Sequence, residues 1–273
     1  MRELHSLSDI LKINLINVKM KKIILLIILA LFNFNSEIGA AVFPEDDFRK
    51  GIELYTSGKY QEALDVWLPI YKSGFRTPNL CYNIGNAYFK INDVPHAILF
   101  YERAYLLKPA DEDIRYNLQV ARTYVVDRFT EIPELFFVTW YNFISLILSS
   151  DKWAYISIIS FVMSLIFMLV YLLTSVYRYK VAGFWLAIFM LIISLASLSF
   201  SIRNKNLVFN SDKAIIVSPQ VNGKSAPDSS GTDLFLIHEG TKVTVTDALG
   251  EWYEIKLPDG NKGWVPANSL EKI

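Results

Sequence analysis

The stretch 81-CYNIGNAYFKINDVPHAILFYERAYLLKPAD-111 sets the reading of the whole chain. Gly85 and Ala97 are small where two helices of a hairpin have to approach closely. Tyr88 and Tyr101 are large and fill space between successive hairpins, and Pro109 stops the second helix. The stretch therefore predicts a helical hairpin, with helices at about 79–91 and 95–107.

Shifting the chain against itself by 34 residues extends the pattern in both directions. Gly51 falls on Gly85, Leu54 on Tyr88, Ala63 on Ala97, Trp67 on Tyr101 and Ile70 on Ala104. Further on, Tyr82-Asn83-Ile84 falls on Tyr116-Asn117-Leu118, and Ala87 on Ala121. A fixed period of this length marks stacked helical hairpins. The second copy resembles the tetratricopeptide repeat (TPR) family at Ile84-Gly85, Tyr88, Ala97, Tyr101, Ala104 and Pro109. Further helices are expected at about 44–57, 60–73 and 111–127. The last has no partner, because continuing the frame puts Glu131 where a small alanine is needed. Residues 42–129 thus read as an all-α TPR solenoid of two repeats and a capping helix.

In such a solenoid the first helix of each hairpin lines a concave groove. The resemblance implies asparagines there that hydrogen-bond an extended peptide backbone. Asn86 and Asn117 match two such positions, with Tyr82 and Lys90 on nearby turns of the same helical face. An amide both donates and accepts, so it satisfies a peptide group whatever its side chain. The candidate peptide-binding residues are Tyr82, Asn83, Asn86, Lys90 and Asn117. The alternative is that Asn83 and Asn117 brace neighbouring helices. Ile52 stands at the position equivalent to Asn86, so the first repeat lacks this element.

Composition places the chain at a membrane. It is 52% hydrophobic and only 20% charged, and the excess lies in a few runs. Lys19, Lys21 and Lys22, the apolar run 23–32 and the small residues Gly39-Ala40-Ala41 form a secretory signal pattern within a leader of residues 1–41. Its core is shorter than the ~20 residues needed for an easy span. Cleaved or retained as an anchor, it delivers the TPR region outside the cytoplasm. Residues 153–177 and 182–202 carry no charge and are long enough to cross, giving a two-helix transmembrane hairpin over 152–203 with the turn Arg178-Tyr179-Lys180-Val181. Basic residues stand on both sides of it, so the signal sets orientation: both globular parts face the periplasm from the bacterial inner membrane. Ser157, Ser160 and Ser164 on one span, and Ser194, Ser197 and Ser201 on the other, predict a close serine-lined seam. Before the spans, residues 130–151 are dense in aromatics. They read either as an interfacial helix on the membrane surface or as a core helix packed on the TPR unit.

Beyond the spans the period changes. Val243 and Val245 alternate with Lys242, Thr244 and Thr246, and Tyr253, Ile255 and Leu257 with Glu254 and Lys256. Turns are marked at Leu249-Gly250 and Pro258-Asp259-Gly260-Asn261. Residues 213–273 therefore predict a small all-β barrel, with Trp252 and Trp264 supplying apolar area to a tiny core. The segments 239–243, 252–255 and 259–265 resemble bacterial SH3-like (SH3b) domains.

No site for chemistry emerges. There is no Gly-rich phosphate loop, no GxSxG and no HExxH spacing. Asp46-Asp47 and Asp111-Glu112-Asp113 sit where helices start and complement free N–H groups there. The single cysteine, Cys81, reads as a core residue. His96 follows Pro95 at a helix start. His238 lies between barrel strands, and an enzyme reading would need it beside clustered titratable groups. No cofactor is expected, and a net charge of zero gives no reason to expect nucleic acid.

The fold class expected is thus a multidomain membrane protein: TPR solenoid, transmembrane hairpin and SH3-like barrel. The segments 82–88, 97–104 and 251–255, taken in this order of parts, resemble the BatE type of the Bacteroides aerotolerance (Bat) proteins over about residues 20–273. The resemblance implies partners among von Willebrand A-domain membrane proteins and other TPR proteins of the same system, with a MoxR-type ATPase, and a link to oxidative-stress tolerance. A membrane-anchored interaction adaptor is the function expected. A tether to peptidoglycan peptides through the SH3b domain is the alternative.

Overall fold

Capping chemistry places the helices of the N-terminal part. The computed structural model describes residues 43–130, 135–209 and 211–273, so the expected signal peptide at 1–41 lies outside it. Residues 43–122 hold helices α1 (Glu45–Thr56), α2 (Tyr60–Lys72), α3 (Pro78–Lys90), α4 (Val94–Leu107) and α5 (Glu112–Arg122). Thr77 accepts the Leu80 N–H, Asp93 the His96 N–H, and Asp111 the N–H groups of Asp113 and Ile114. Each cap satisfies donors that the first helical turn leaves without a partner. At α1 the acids Glu45, Asp46 and Asp47 fill the first turn, where they favour the helix dipole.

The chain divides into two compact units, residues 43–155 with 197–273, and residues 156–196. In the larger unit the 34-residue offset has a direct packing meaning. A Cβ on Gly51 would lie 2.1 Å from the Trp67 indole, and one on Gly85 would lie 2.7 Å from the Tyr101 ring. The two glycine–aromatic pairs are equivalent under the repeat, and Ala63 and Ala97 are both fully buried. Cys81 is also fully buried, and burial pushes its thiol up to about 12, so it stays protonated.

The helix expected over 111–127 stops at Arg122. Residues 123–129 leave it to meet the C-terminal sheet. Val125 packs with Ile98, Leu118 and Ile215, and Phe129 joins the core of the sheet. That tertiary packing outweighs the local tendency to continue the helix.

The C-terminal part is a seven-stranded antiparallel sheet of β1 (Lys213–Ile216), β2 (Gln220–Lys224), β3 (Asp233–His238), β4 (Lys242–Leu249), β5 (Trp252–Lys256), β6 (Lys262–Pro266) and β7 (Leu270–Lys272), in the order β3-β2-β6-β5-β4-β1-β7. Ala214, Ile216, Ile237, Val243, Ile255, Leu257, Val265 and Leu270 form its core. The Phe235 ring rests on backbone, since a Cβ at Gly223 or Gly263 would meet it at 2.1 and 2.9 Å. Successive side chains of a strand point to opposite faces. So while Ala214 and Ile216 enter the sheet's core, Ile215 enters a cluster with Ala97, Ile98, Leu99, Tyr101, Leu118 and Ala121. Strand β1 is buried on both faces, which accounts for its unbroken apolar run.

Among the described residues two helices are long and apolar enough to cross a membrane: α7 (Ser150–Leu173) and α8 (Tyr177–Phe209), with mean hydropathy 2.6 and 2.4 over their most apolar 18 residues. Their bounds differ from the expected 153–177 and 182–202. The connection is 174–176, and Arg178 and Lys180 lie inside the first turn of α8, where Lys180 sits 5.4 Å from the centroid of the Tyr171 ring. Cations in a first turn oppose the helix dipole only weakly, and the helix starts ahead of them at Tyr177, so the charges do not mark the turn. In the smaller unit Ser157 and Ser194 exchange hydroxyl-to-carbonyl bonds of 2.9 Å in both directions, and Ser164 donates to Ala187 O at 2.8 Å. Gly183 lies against backbone, where a Cβ would be 3.0 Å from Phe167 O. The serine seam is present.

In the larger unit a short helix α6 (Phe136–Ser145) precedes α7. The end of α8 runs past Ile202, where its polar side chains donate to α6 and to the segment that follows it, while Asn204 Oδ1 is buried with no partner among the described residues. Arg203 donates to Ser145 Oγ and Asn142 Oδ1, both at 2.7 Å, and Asn204 donates to Ser145 O at 2.6 Å and Leu148 O at 3.0 Å.

Candidate peptide-binding face and the junction with the barrel

The groove residues expected from the sequence are partly brought together. Asn86 of α3 and Asn117 of α5 meet directly: Asn117 Nδ2 donates to Asn86 Oδ1 at 3.0 Å and to the Tyr82 hydroxyl at 2.9 Å. A member that the sequence pattern does not reveal completes the set, because the Tyr101 hydroxyl donates to Asn86 Oδ1 at 2.7 Å. The repeat spacing gives Tyr101 a packing role, and its ring does pack on Gly85. Its hydroxyl end has no signature in the spacing. Burial raises the Tyr82 and Tyr101 hydroxyls above the ordinary tyrosine range, so both remain protonated. Asn83 is half-buried on α3 and Lys90 is exposed at its end. Neither joins the network.

Counting donors and acceptors shows what the network still offers. Asn86 Oδ1 accepts twice and Asn117 Nδ2 donates twice. Among the described residues, Asn86 Nδ2 and Asn117 Oδ1 retain unused hydrogen-bonding capacity, and neither is sealed from solvent. One amide donor and one amide acceptor are therefore presented side by side, the complement of a peptide unit's C=O and N–H. Exposed Tyr116 and Ile52 stand on the flanking helices α5 and α1.

A second polar constellation joins the helices to the sheet. Glu102 of α4 is 2% exposed, and its carboxylate takes Lys242 Nζ at 2.8 Å and the Arg122 guanidinium. Burial alone would raise its pKa, but the two cations outweigh it and hold the carboxyl below the usual range. Beside it, Asp127 accepts from the His238 N–H at 2.6 Å, the Thr241 hydroxyl at 2.7 Å and His238 Nδ1 at 2.8 Å. Burial again opposes ionisation, and these hydrogen bonds hold Asp127 below the ordinary aspartate range. On the far side Arg103 donates to Glu271 at 3.0 Å and to Lys272 O at 2.6 Å. Its guanidinium lies 4.9 Å from the Phe100 ring centroid. His96 sits on Tyr88 with Nδ1 2.8 Å from Asp93, whose hydrogen bond holds the imidazole pKa above its ordinary value.

His238 does therefore lie beside a carboxylate. Asp127 spends both oxygens on one β-turn, and among the described residues no hydroxyl or thiol is hydrogen-bonded to His238 Nε2. The Thr241 hydroxyl, in the same turn, is buried and donates to Asp127 itself. No group of three or more His, Cys, Asp or Glu side chains among the described residues could hold a metal ion.

Comparison with known families identifies one segment. Residues 221–271 match the model of the bacterial SH3 domain, a class compatible with binding peptidoglycan or proteins. The match takes in β2 to β6 and most of β7. It leaves out β1, the strand that carries Ile215 into the helical cluster. No curated protein matches the chain.

Proposed function

We propose that the chain is a membrane-anchored interaction adaptor. In this reading the helical part is a TPR unit of two repeats that grips an extended segment of a partner. Helices α7 and α8 cross the inner membrane, and both the TPR unit and the SH3b barrel stand on the periplasmic side after export by the leader. The observation that carries it is the unused donor and acceptor capacity of Asn86 Nδ2 and Asn117 Oδ1 beside Tyr82. A peptide backbone bonded there would be held independently of its sequence, and specificity would come from flanking side chains such as Tyr116. The partners that the Bat-type resemblance brings forward are von Willebrand A-domain and TPR membrane proteins in a complex linked to stress tolerance.

The test compares proteins captured from solubilised membranes by the full-length chain and by Asn86→Ala/Asn117→Ala. Two lost hydrogen bonds at about 1 kcal/mol each amount to roughly a 30-fold loss in affinity. An unchanged set of partners in the variant removes the groove from the mechanism.

A second reading comes from the bacterial SH3 match: the barrel binds cell-wall peptides and the chain is a tether. Its test is pelleting of the full-length protein, in detergent, with purified sacculi. The whole chain is needed because cutting before β1 would bare Ile215. Failure to pellet removes this reading and leaves the first untouched. The Asp127–His238 pair serves in both readings as a latch between modules, not as an acid–base pair.

A further inference from the structure

Helix α6 turns its polar side to the protein and its apolar side outward, the reverse of a helix in a water-soluble core. At 100° per residue, Tyr141, Asn142 and Ser145 fall on one face. Tyr141 shares a 2.8 Å hydrogen bond with Ser199 Oγ, and Asn142 and Ser145 take the Arg203 guanidinium. The opposite face carries Phe136, Trp140 and Phe143, which are 73%, 69% and 71% exposed, and Phe137, 57% exposed, lies on its flank. Large aromatics this bare, in one contiguous ridge, mark a surface that is covered in the working protein.

Three observations identify what covers it. No charged residue occurs from Leu135 to Ser150, whereas a water-facing or rim surface would carry some. The ridge joins directly to the apolar helix α7, which begins at Ser150, and its polar face is bonded to α8 at 199–204, where the apolar run ends. Thr139, on the flank of α6, lines the same open cleft as Lys213 and Lys256, and neither lysine has a carboxylate within ion-pair distance among the described residues. Aromatic rings bordered by cations that no carboxylate neutralises suit the boundary between acyl chains and acidic headgroups.

We infer that the α6 ridge is inserted in the outer surface of a bilayer containing acidic phospholipid, lying along the interface as a third membrane-contacting element. The inference rests on the proposal that α7 and α8 cross that bilayer. The test uses the full-length protein in vesicles of phosphatidylethanolamine and phosphatidylglycerol. The lipids are brominated either near the carbonyl or near the methyl end of the acyl chain, and tryptophan fluorescence is read. Trp185, within α8, reports the span, and Trp140 reports the ridge. Comparing the wild type with Trp140→Phe and Trp185→Phe separates the two signals. The expected result is that Trp140→Phe loses a component quenched by the shallow bromines, and Trp185→Phe loses one quenched by the deep bromines. A Trp140 component quenched only by aqueous iodide, or by neither reagent because another protein surface covers it, overturns the inference while the Trp185 result stands. If Trp185 escapes both brominated lipids, the spans themselves fail and the inference falls with them.

Discussion

The α7–α8 seam and the junction between the helices and the barrel are held by opposite chemistry. Between α7 and α8 the contacts are Ser157, Ser164, Gly183 and Ser194, uncharged and small, each hydroxyl returned to a backbone carbonyl. At the barrel junction the contacts are a fully buried Ile215, a buried Glu102 with two cations, and Asp127 bridging to His238 and Thr241. Where the surroundings are apolar on all sides, no hydrophobic gain draws two helices together, and close backbone approach has to do so. Where water is at hand, burying an isoleucine is itself favourable, and ion pairs add orientation. The two seams should therefore fail under different insults.

The largest effect is expected at Glu102. Lys242 and Arg122 are each partly exposed, so removing either leaves the carboxylate one partner. Removing both, in Lys242→Met/Arg122→Met, strands a buried charge and should cost about 3–5 kcal/mol, far more than the two single changes added together. Denaturant unfolding of the full-length protein in detergent measures it. Additive singles would show that Glu102 takes up a proton or finds water instead. Ile215→Ala should come next, at about 3 kcal/mol, with faster hydrogen exchange in β1 and α4 while α7 and α8 exchange as before. Equal loosening of α7 and α8 would erase the contrast between the seams.

Acid should also separate them. Asp127 and Glu102 have carboxyl pKa values below the ordinary range, so their contribution is fully present above about pH 4 and is lost as pH falls through the lowered values. His96, raised above its ordinary value, contributes fully below about pH 6.5 and loses its share as pH rises past the raised value. Asp127→Asn should cost about 1–3 kcal/mol at neutral pH and flatten the acid limb of the stability curve. An acid limb unchanged in the variant would mean that Asp127 is not the titrating latch. The serine seam offers nothing to titrate and should hold across the same range.

Local features of this molecule are readable in the sequence and long-range ones are not. Thr77, Asp93 and Asp111 cap helices within a few residues of themselves, and the Gly51–Trp67 and Gly85–Tyr101 pairs recur at a fixed offset. Pattern alone therefore places helices α1 to α5 to within a few residues, apart from the C-terminal end of α5. The serine seam is legible for the same reason, since helical spacing puts the hydroxyls on one face. Asp127 is not, because its partners His238 and Thr241 lie 111 and 114 residues away. The end of α5 at Arg122 is set by that distant barrel. Half of the Asn86–Asn117 network is visible as asparagines at repeat positions, while Tyr101 is hidden behind its role in packing. The apolar run of β1 announces burial without saying that a second module supplies it.

The smallest effects belong to the serine seam, and their ordering tests why it is there. Ser160 and Ser197 are 5% and 2% exposed. If the seam works by letting backbones approach, Ser160→Leu/Ser197→Leu should force the helices apart and cost about 1–3 kcal/mol by overpacking. Ser157→Ala/Ser194→Ala keeps the close approach and removes only the reciprocal hydroxyl bonds. Polar contacts between helices in a bilayer are worth about 0.6 kcal/mol each, so that variant should lose about 1 kcal/mol. Titration of the reconstituted protein from bicelles into sodium dodecyl sulfate, followed by Trp185 emission, resolves both. The reverse order, with alanine worse than leucine, would mean that hydrogen bonding rather than close packing joins α7 to α8. It would also bring the two seams nearer in kind than their composition indicates, since both would then depend on specific polar bonds.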